Sequence, residues 1–388
     1  MELIGRGLIL PEELFSGNVP FPLQFNSISA TLVRSTMNAA TIDVGLIGFG
    51  LAGRAFHASI IHAVPGLRLA AILQRHSSSA AEIYPDACIV HTLEDLLAID
   101  SIRLIAIATS NDSHFSLAKK CLEAGRDVVV DKPFTITVEE ADELVTLAQK
   151  LGRLITVYHD RRFDGDFRTI QQLIASGELG RIVRFEAHYD RFRPQLRSGA
   201  WREQPGPGSG ILYDLGPHLI DQALVLFGAP EAVTAEARLE REVSRTDDSF
   251  DLLMHYPKGL RASLHSTMLG AAPRPRFILH GTQGSFIKFG MDPQEPPLRA
   301  GEIPGGENWG VDPQENWGTL TLSDGTTTMQ RIIPTARGDY RDFYANVRDA
   351  MLGVAPLIVT PAECVRVMQV IVLAHRSSQL QRTLPWPY

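Results

Sequence analysis

The residues with the clearest chemical reading are three glycines. Gly48, Gly50 and Gly53 fall at G-x-G-x-x-G spacing behind the apolar run Asp43–Ile47 and ahead of a segment of helical periodicity, Leu51–Val64. In that context the first glycine permits a tight turn, the second lets backbone approach a pyrophosphate, and the third lets helix and strand pack closely. The loop Gly48-Phe49-Gly50-Leu51-Ala52-Gly53 would then hold a dinucleotide, with the amides of the helix start facing its phosphates. Two further groups bear on what is done with it. Lys132 follows the run Asp127–Val130 in the sequence Asp131-Lys132-Pro133, where the proline stiffens a turn that aims the lysine at the rim of a sheet. Asp214 and His218 are four apart, so on a helix they share a face, with Asp221 one turn further along. Each also has a structural reading: a solvated lysine, an Asp cap, a packed core histidine.

These residues need a parallel sheet to position them, and the first 160 residues supply its pattern. Leu67–Leu73 reads as a second strand, ending in Gln74-Arg75-His76-Ser77 where an NAD-preferring site usually has an acid for the ribose hydroxyl. A carboxylate would repel a 2'-phosphate, while Arg75 can bond it for roughly 1.5–3 kcal/mol, about a ten- to hundredfold preference for NADP. The alternative for Arg75 is a solvated loop cation. Leu104–Ala108 is a third buried strand, after a short Thr92–Leu97 helix, and ends in Thr109-Ser110-Asn111-Asp112-Ser113-His114. Thr109, Asn111 and His114 lie where a nicotinamide dinucleotide crosses the sheet, although the same residues suit the cap of the next helix. The strand Asp127–Val130, a helix Val138–Lys150 and a strand Leu154–Tyr158 complete a doubly wound half and deliver Tyr158, His159, Asp160, Arg161 and Arg162 to the same rim.

The second half alternates differently. Val183–Arg191, Ala232–Glu240, Ser249–His255, Ala262–Thr267 and Phe277–His280 read as strands without helices between most of them, which predicts a largely antiparallel sheet with one face free for a partner subunit. Residues 290–313 read as a long irregular loop, and Tyr340–Leu352 and Pro361–Gln379 as closing helices. At 388 residues, 44% hydrophobic and 21% charged, the chain has room for two domains with an ample core. A net charge of -7 leaves no basic footprint for nucleic acid, and no apolar run is long enough to span a bilayer. Three widely spaced cysteines, Cys88, Cys121 and Cys364, fit reduced thiols in a cytoplasm. Residues 1–40 fit the rest poorly and read as an N-terminal extension, poorly ordered over 1–36.

The glycine loop, the Thr109–His114 turn, Asp131-Lys132-Pro133 and the run Gly208-Ser-Gly210-Ile-Leu-Tyr-Asp214-Leu-Gly-Pro-His218 together resemble the Gfo/Idh/MocA oxidoreductases. Glu-Lys-Pro is the commoner form of the lysine motif there, so Asp131 is a conservative departure. The segments VYHDRRFDGDF, YDRFRPQLRSGAWRE, LYDLGPHLIDQ and HGTQGSFIKFGMDPQE make the chain similar in particular to the NADP-dependent scyllo-inositol dehydrogenase branch. The resemblance implies an α/β fold: a Rossmann NADP-binding domain over 41–160, and over 161–388 an α/β domain with a large open, mainly antiparallel sheet that binds substrate and makes a homodimer or homotetramer. It implies reversible hydride transfer between NADP, with NAD as the alternative, and a secondary alcohol of a cyclic polyol. It puts Lys132, Asp214 and His218 at the reacting oxygen: His218 as proton acceptor, Lys132 as polarising cation and relay, Asp214 binding hydroxyls or orienting His218. Asp131 and Lys132 would also border the cofactor. Tyr158, His159, Arg162, Tyr189, Arg191, Arg193 and Trp201 would read the substrate, with interdomain salt bridges as the alternative for Arg162 and Arg193. No metal is implied, since nicotinamide takes the electrons itself. Other readings are a sugar dehydrogenase of the same family and a non-catalytic NADP-binding regulator; the latter predicts loss of the lysine or histidine, and both are present.

Overall fold

The computed structural model describes residues 41–197 and 199–388; the extension expected over 1–36 lies outside them. Six parallel strands form the first sheet: β1 (Ile42–Ile47), β2 (Leu67–Leu73), β3 (Cys88–Val90), β4 (Ile102–Ile107), β5 (Asp127–Val130) and β6 (Ile155–Val157), in the order β3-β2-β1-β4-β5-β6. β1 and β5 are buried along their whole length, as Val- and Ile-rich strands covered on both faces must be. The strand order reverses on either side of β1, where Ile47 pairs with both Leu73 and Ile107. Beyond the carboxyl ends of β1 and β4, chain leaves in opposite directions and a crevice opens.

The helix after β1 covers 51–63 and is wound as a π-helix over Gly53–Ala58, a widening often found beside functional sites. Thr137 and Thr360 start the helices Val138–Leu151 and Pro361–Leu380 with reciprocal capping boxes to Glu140 and Glu363. The helix Pro361–Leu380 packs on both halves of the molecule, against Val138–Leu151 and β6 on one side and the second sheet on the other. Thr156 Oγ1 of β6 donates to Val359 O at 2.7 Å just ahead of it.

The second sheet has nine strands: β7 (Ile182–His188), β8 (Ala232–Arg238), β9 (Ser249–His255), β10 (Arg261–Thr267), β11 (Phe277–Gly281), β12 (Gly284–Lys288), β13 (Gly318–Ser323), β14 (Thr328–Ile333) and β15 (Leu384–Pro385), in the order β14-β13-β12-β11-β7-β10-β9-β8-β15. Every pairing is antiparallel except β7 with β10, where Phe185 faces Ala262. Elements outside the sequence expectations include β3, β12, β13, β14, β15, the helix Gly165–Ser176 and the helix Glu295–Ala300, which falls within the stretch 290–313 expected to be an irregular loop. β14 is an edge strand exposed over nearly its whole length, so it has no buried face to generate an alternating pattern. β7 ends at His188, but Tyr189 N and Arg191 N still donate to His265 O and Thr267 O of β10, and this continuation carries Tyr189 and Arg191 toward the first sheet's rim. Among the described residues no helix is long and apolar enough to cross a membrane.

Candidate active site

A groove of about 880 Å³ runs over the carboxyl ends of β1, β2 and β4, within the size of ligand sites. The three glycines of the loop at its floor have distinct reasons. Gly48 has φ +94°, and a Cβ there would meet Ala108 O at 2.6 Å; a Cβ on Gly53 would meet Gly48 O at 2.0 Å. Those two are required by the fold. A Cβ on Gly50 would meet nothing within 4 Å, so it would project into open space beside Leu51 and Ala52. That vacancy of side chain, with a helix start behind it, fits a pyrophosphate. At the end of β2, Gln74 is committed to its own turn, its Oε1 accepting from Ala80 N at 2.9 Å. Arg75 is exposed at the groove, and among the described residues no carboxylate lines this end of it.

Five residues expected beside the cofactor, Gly53, Asn111, His114, Asp131 and Lys132, line no part of the groove. Asn111 is buried, its Nδ2 donating to Gly208 O at 2.7 Å. His114 is fully buried, its Nδ1 2.8 Å from Pro133 O and its Nε2 3.4 Å from Thr109 O. Burial pulls its basicity down, so the ring is neutral and serves as a brace between the turn after β4 and the turn after β5. Thr109 does line the groove, its hydroxyl 2.7 Å from that of Ser113.

The turn after β5 is set from beneath. Burial would push the Asp131 carboxyl up, but the neighbouring His57 imidazole and Lys132 outweigh it and hold it at about 2. Asp131 Oδ1 accepts the Lys132 N–H at 2.8 Å and lies 3.8 Å from His57 Nε2, while His57 Nδ1 is 2.6 Å from the Tyr344 hydroxyl. Asp131 therefore orients the lysine from the floor of a second, smaller chamber that adjoins the groove, rather than lining the groove itself. Lys132 Nζ reaches across this chamber to the other half of the molecule, donating to Asp214 O at 2.6 Å and to Asp214 Oδ1 at 3.2 Å.

Asp214 ends a short helix, Ile211–Asp214, and His218 lies in the first turn of a separate one, Gly216–Phe227, with Pro217 near its start. The single helix implied by their spacing is thus broken at Leu215, although the four-residue separation still brings both into the chamber. Asp247 fixes the first of the two: its carbonyl accepts from Ile211 N and its Oδ2 from Leu212 N, both at 2.8 Å. A Cβ on Gly210 would collide with that carboxylate at 2.1 Å, which accounts for glycine there. Asn111, bonded to Gly208, ties the same loop to the nucleotide half.

The electrostatics of the chamber are strongly biased. Burial opposes ionisation of Asp214, yet Lys132, Arg202 and Arg191 hold its carboxyl far below the usual range. His218 is driven well below its ordinary value by burial first and then by Lys132 and Arg161, so its imidazole is neutral near pH 7. Asp214 makes no contact with His218 within ion-pair distance; the nearest carboxylate is Asp160, whose Oδ1 lies 3.7 Å from His218 Nδ1. Burial raises Asp160 to about 6 against the pull of Arg161. Tyr189 lies between two guanidinium groups, Arg161 at 4.8 Å and Arg191 at 4.9 Å from its ring centre, and its hydroxyl donates to Glu295 at 3.1 Å.

Other expected residues fall elsewhere. Arg162 forms a two-pronged bond to Asp221, at 2.6 and 2.8 Å, and a further contact to Glu363 at 3.2 Å, so it joins the halves away from the chamber. His159 is buried beside the same Asp221 at 4.0 Å, and Arg193 also lies outside the chamber lining. Tyr158 is at the chamber floor, its ring centre 4.5 Å from that of His57, and Trp201 stands at the groove mouth with Arg202 stacked on it at 4.5 Å. The chamber also contains Asp160, Arg161, Arg202 and Glu295, which the sequence reading gave no role. Asp160 and Arg161 were visible as charges following a rim strand, and Glu295 only as the last residue of the segment HGTQGSFIKFGMDPQE. No group of residues suited to holding a metal occurs among the described residues.

The model described as "Oxidoreductase family, NAD-binding Rossmann fold" matches residues 42–159, and "Oxidoreductase family, C-terminal alpha/beta domain" matches 171–385. An Escherichia coli protein named uncharacterized oxidoreductase YdgJ is 45% identical over 343 residues, 88% of this chain and 98% of that protein. A Bacillus subtilis protein named scyllo-inositol 2-dehydrogenase (NADP(+)) IolW is 38% identical over 354 residues, covering 91% and 98%. The solved structure of a putative oxidoreductase from Yersinia pestis superposes with a TM-score of 0.84 at 44% identity, covering 90% of this chain and 99% of that one.

Proposed function

The chain belongs to the Gfo/Idh/MocA oxidoreductase family, and from that premise we propose that it catalyses NADP-dependent, reversible oxidation of a secondary alcohol on a cyclic polyol or sugar. The observation that carries the reading is a neutral, buried His218 sharing a chamber with the Lys132 ammonium, next to a groove fitted for a dinucleotide. The similarity to IolW supports the polyol and the NADP preference, and Arg75 with no acid at the end of β2 supports the latter independently.

The roles follow from the chamber. When bound, nicotinamide accepts the hydride from the carbinol carbon. The hydroxyl proton must leave as the C–H bond breaks, and neutral His218 takes it. Lys132 polarises the same oxygen and stabilises its negative charge as it develops, in a site that is largely out of water. Asp214 holds the lysine by two bonds and so sets where its charge points. Asp160 stands behind His218 and favours the imidazolium once it forms. The exposed Ile287 and Ile332, which the register puts on the same face of the second sheet, are consistent with a homo-oligomer formed through that sheet.

A substrate screen with inositols and aldoses, read by the absorbance of reduced nicotinamide with NADP and with NAD, tests the function. The expected result is turnover of at least one polyol or sugar, more efficient with NADP. Turnover of none, by protein shown to bind NADPH, would contradict it.

A further inference from the structure

Charge is distributed unevenly around the substrate chamber. Six cations line it, Lys132, Arg161, Arg191, Arg197, Arg202 and Arg299, against four carboxylates, an excess of two positive charges where His218 is neutral. Two of the six are matched, since Arg161 and Arg299 both bond Glu295. Three of the others depend on a single acid. Lys132 Nζ and Arg202 Nε each lie 3.2 Å from Asp214 Oδ1, and Arg191 Nη1 lies 3.6 Å from Oδ2. Among the described residues Arg197 is held through its backbone, its N–H donating to Glu203 and its carbonyl accepting from Ala200 N.

Arg191 decides what this excess is for. Its side chain is 15% exposed, and its nearest partners, Asp214 Oδ2 at 3.6 Å and the Tyr189 hydroxyl at 3.4 Å, are beyond the roughly 2.7–3.2 Å of an ordinary N–H···O bond. The guanidinium stacks on the Tyr189 ring, and a fork that meets only long polar contacts while lining the chamber is left able to take an anionic partner. Its planar fork matches a carboxylate or a phosphate through two parallel bonds. Cofactor phosphates do not account for it, because Arg202 lines both the groove and the chamber, whereas Arg191 and Arg197 line the chamber but no part of the groove.

We infer that the substrate carries an anionic group, a carboxylate or a phosphate, bound by Arg191 together with Arg197 and Arg202. This rests on the polyol or sugar reading and narrows it to acidic members. Neutral polyols still reach Lys132 and His218 but leave the Arg191 fork unmatched.

The test compares matched pairs with NADP: glucose against glucuronate, and myo-inositol against its monophosphate. The expected result is a kcat/KM at least tenfold higher for the anionic member of one pair, and which pair responds separates carboxylate from phosphate. Arg191→Met should reduce the anionic-to-neutral ratio ten- to hundredfold, the factor carried by a hydrogen bond to a charged group, and Arg191→Lys should restore part of it. NADPH binding by fluorescence establishes that each variant is folded. Equal or better turnover of the neutral members would overturn the inference and leave the polyol reading standing. An unchanged ratio in NADPH-binding Arg191→Met protein would also overturn it. No turnover of any member, together with none in the wider inositol and aldose screen, by wild-type protein that binds NADPH would remove the underlying reading, and this inference with it.

Discussion

The nucleotide groove and the substrate chamber adjoin, yet they are built on opposite principles. The groove is made of backbone, small side chains and hydroxyls, with Gly50 leaving space and Thr109 and Ser113 at its wall. Its character comes from what is left out, and a local sequence motif suffices to encode that. The chamber is made of long charged side chains from distant parts of the chain, held in a buried network with Lys132 on one half and Asp214 on the other. There, position is set by partners rather than by backbone. Binding the cofactor and performing the reaction should therefore be separable by substitution.

The largest expected effect is on chemistry alone. Lys132→Met should lower kcat by roughly 10²–10⁴, the range for removal of a positioned proton-transfer or polarising group, while NADPH affinity changes less than threefold. Equal losses in both would break the separation between groove and chamber. On the groove side, Gly53→Ala places a Cβ 2.0 Å from a carbonyl oxygen and should cost roughly 2–4 kcal/mol of stability, seen as a lower urea midpoint. Gly50→Val should leave that midpoint within about 0.5 kcal/mol and instead weaken NADPH binding more than tenfold, since its side chain enters the groove. Next in size, Arg75→Gln should reduce the NADP-to-NAD ratio of kcat/KM by about ten- to hundredfold. An unchanged ratio would make Arg75 an ordinary surface cation.

The smallest effect concerns pH. Asp160 has its carboxyl raised to about 6, so alcohol oxidation should fall as pH drops through 6 and the anion behind His218 is lost. In Asp160→Asn protein that acid limb should flatten and kcat fall across the whole range. An unaltered profile would remove Asp160 from the proton path. Stability has a related sign. Asp214 is ionised more readily in the folded chain than in the unfolded one, so its contribution is present above the usual carboxylate range and is lost as pH falls below it.

The same contrast explains how far the sequence could be read. The glycine loop, β1, β2, β4 and β5 were legible because buried parallel strands and a glycine turn are local patterns. The later strands β12 to β14 were not, and of these β14 is an exposed edge with no buried face to generate a pattern. Asn111 and His114 were drawn to the cofactor by their place after β4, but burial turned both inward as braces. Arg161 and Arg162 are neighbours on one short turn, and only the fold decides that the first lines the chamber while the second pairs with Asp221. Glu295 arrives from a segment 134 residues away from Arg161, a pairing that no local signal encodes.

The central claim is that hydride leaves a carbinol carbon for the cofactor while His218 takes the hydroxyl proton. Its most direct test is to supply the best-used polyol or sugar deuterated at the reacting carbon and to follow label into the reduced cofactor by mass spectrometry. The account predicts one deuterium per NADPH formed by wild-type protein, and at least a hundredfold slower transfer by NADPH-binding His218→Asn protein. Unlabelled NADPH, or transfer at the wild-type rate by the variant, would contradict it.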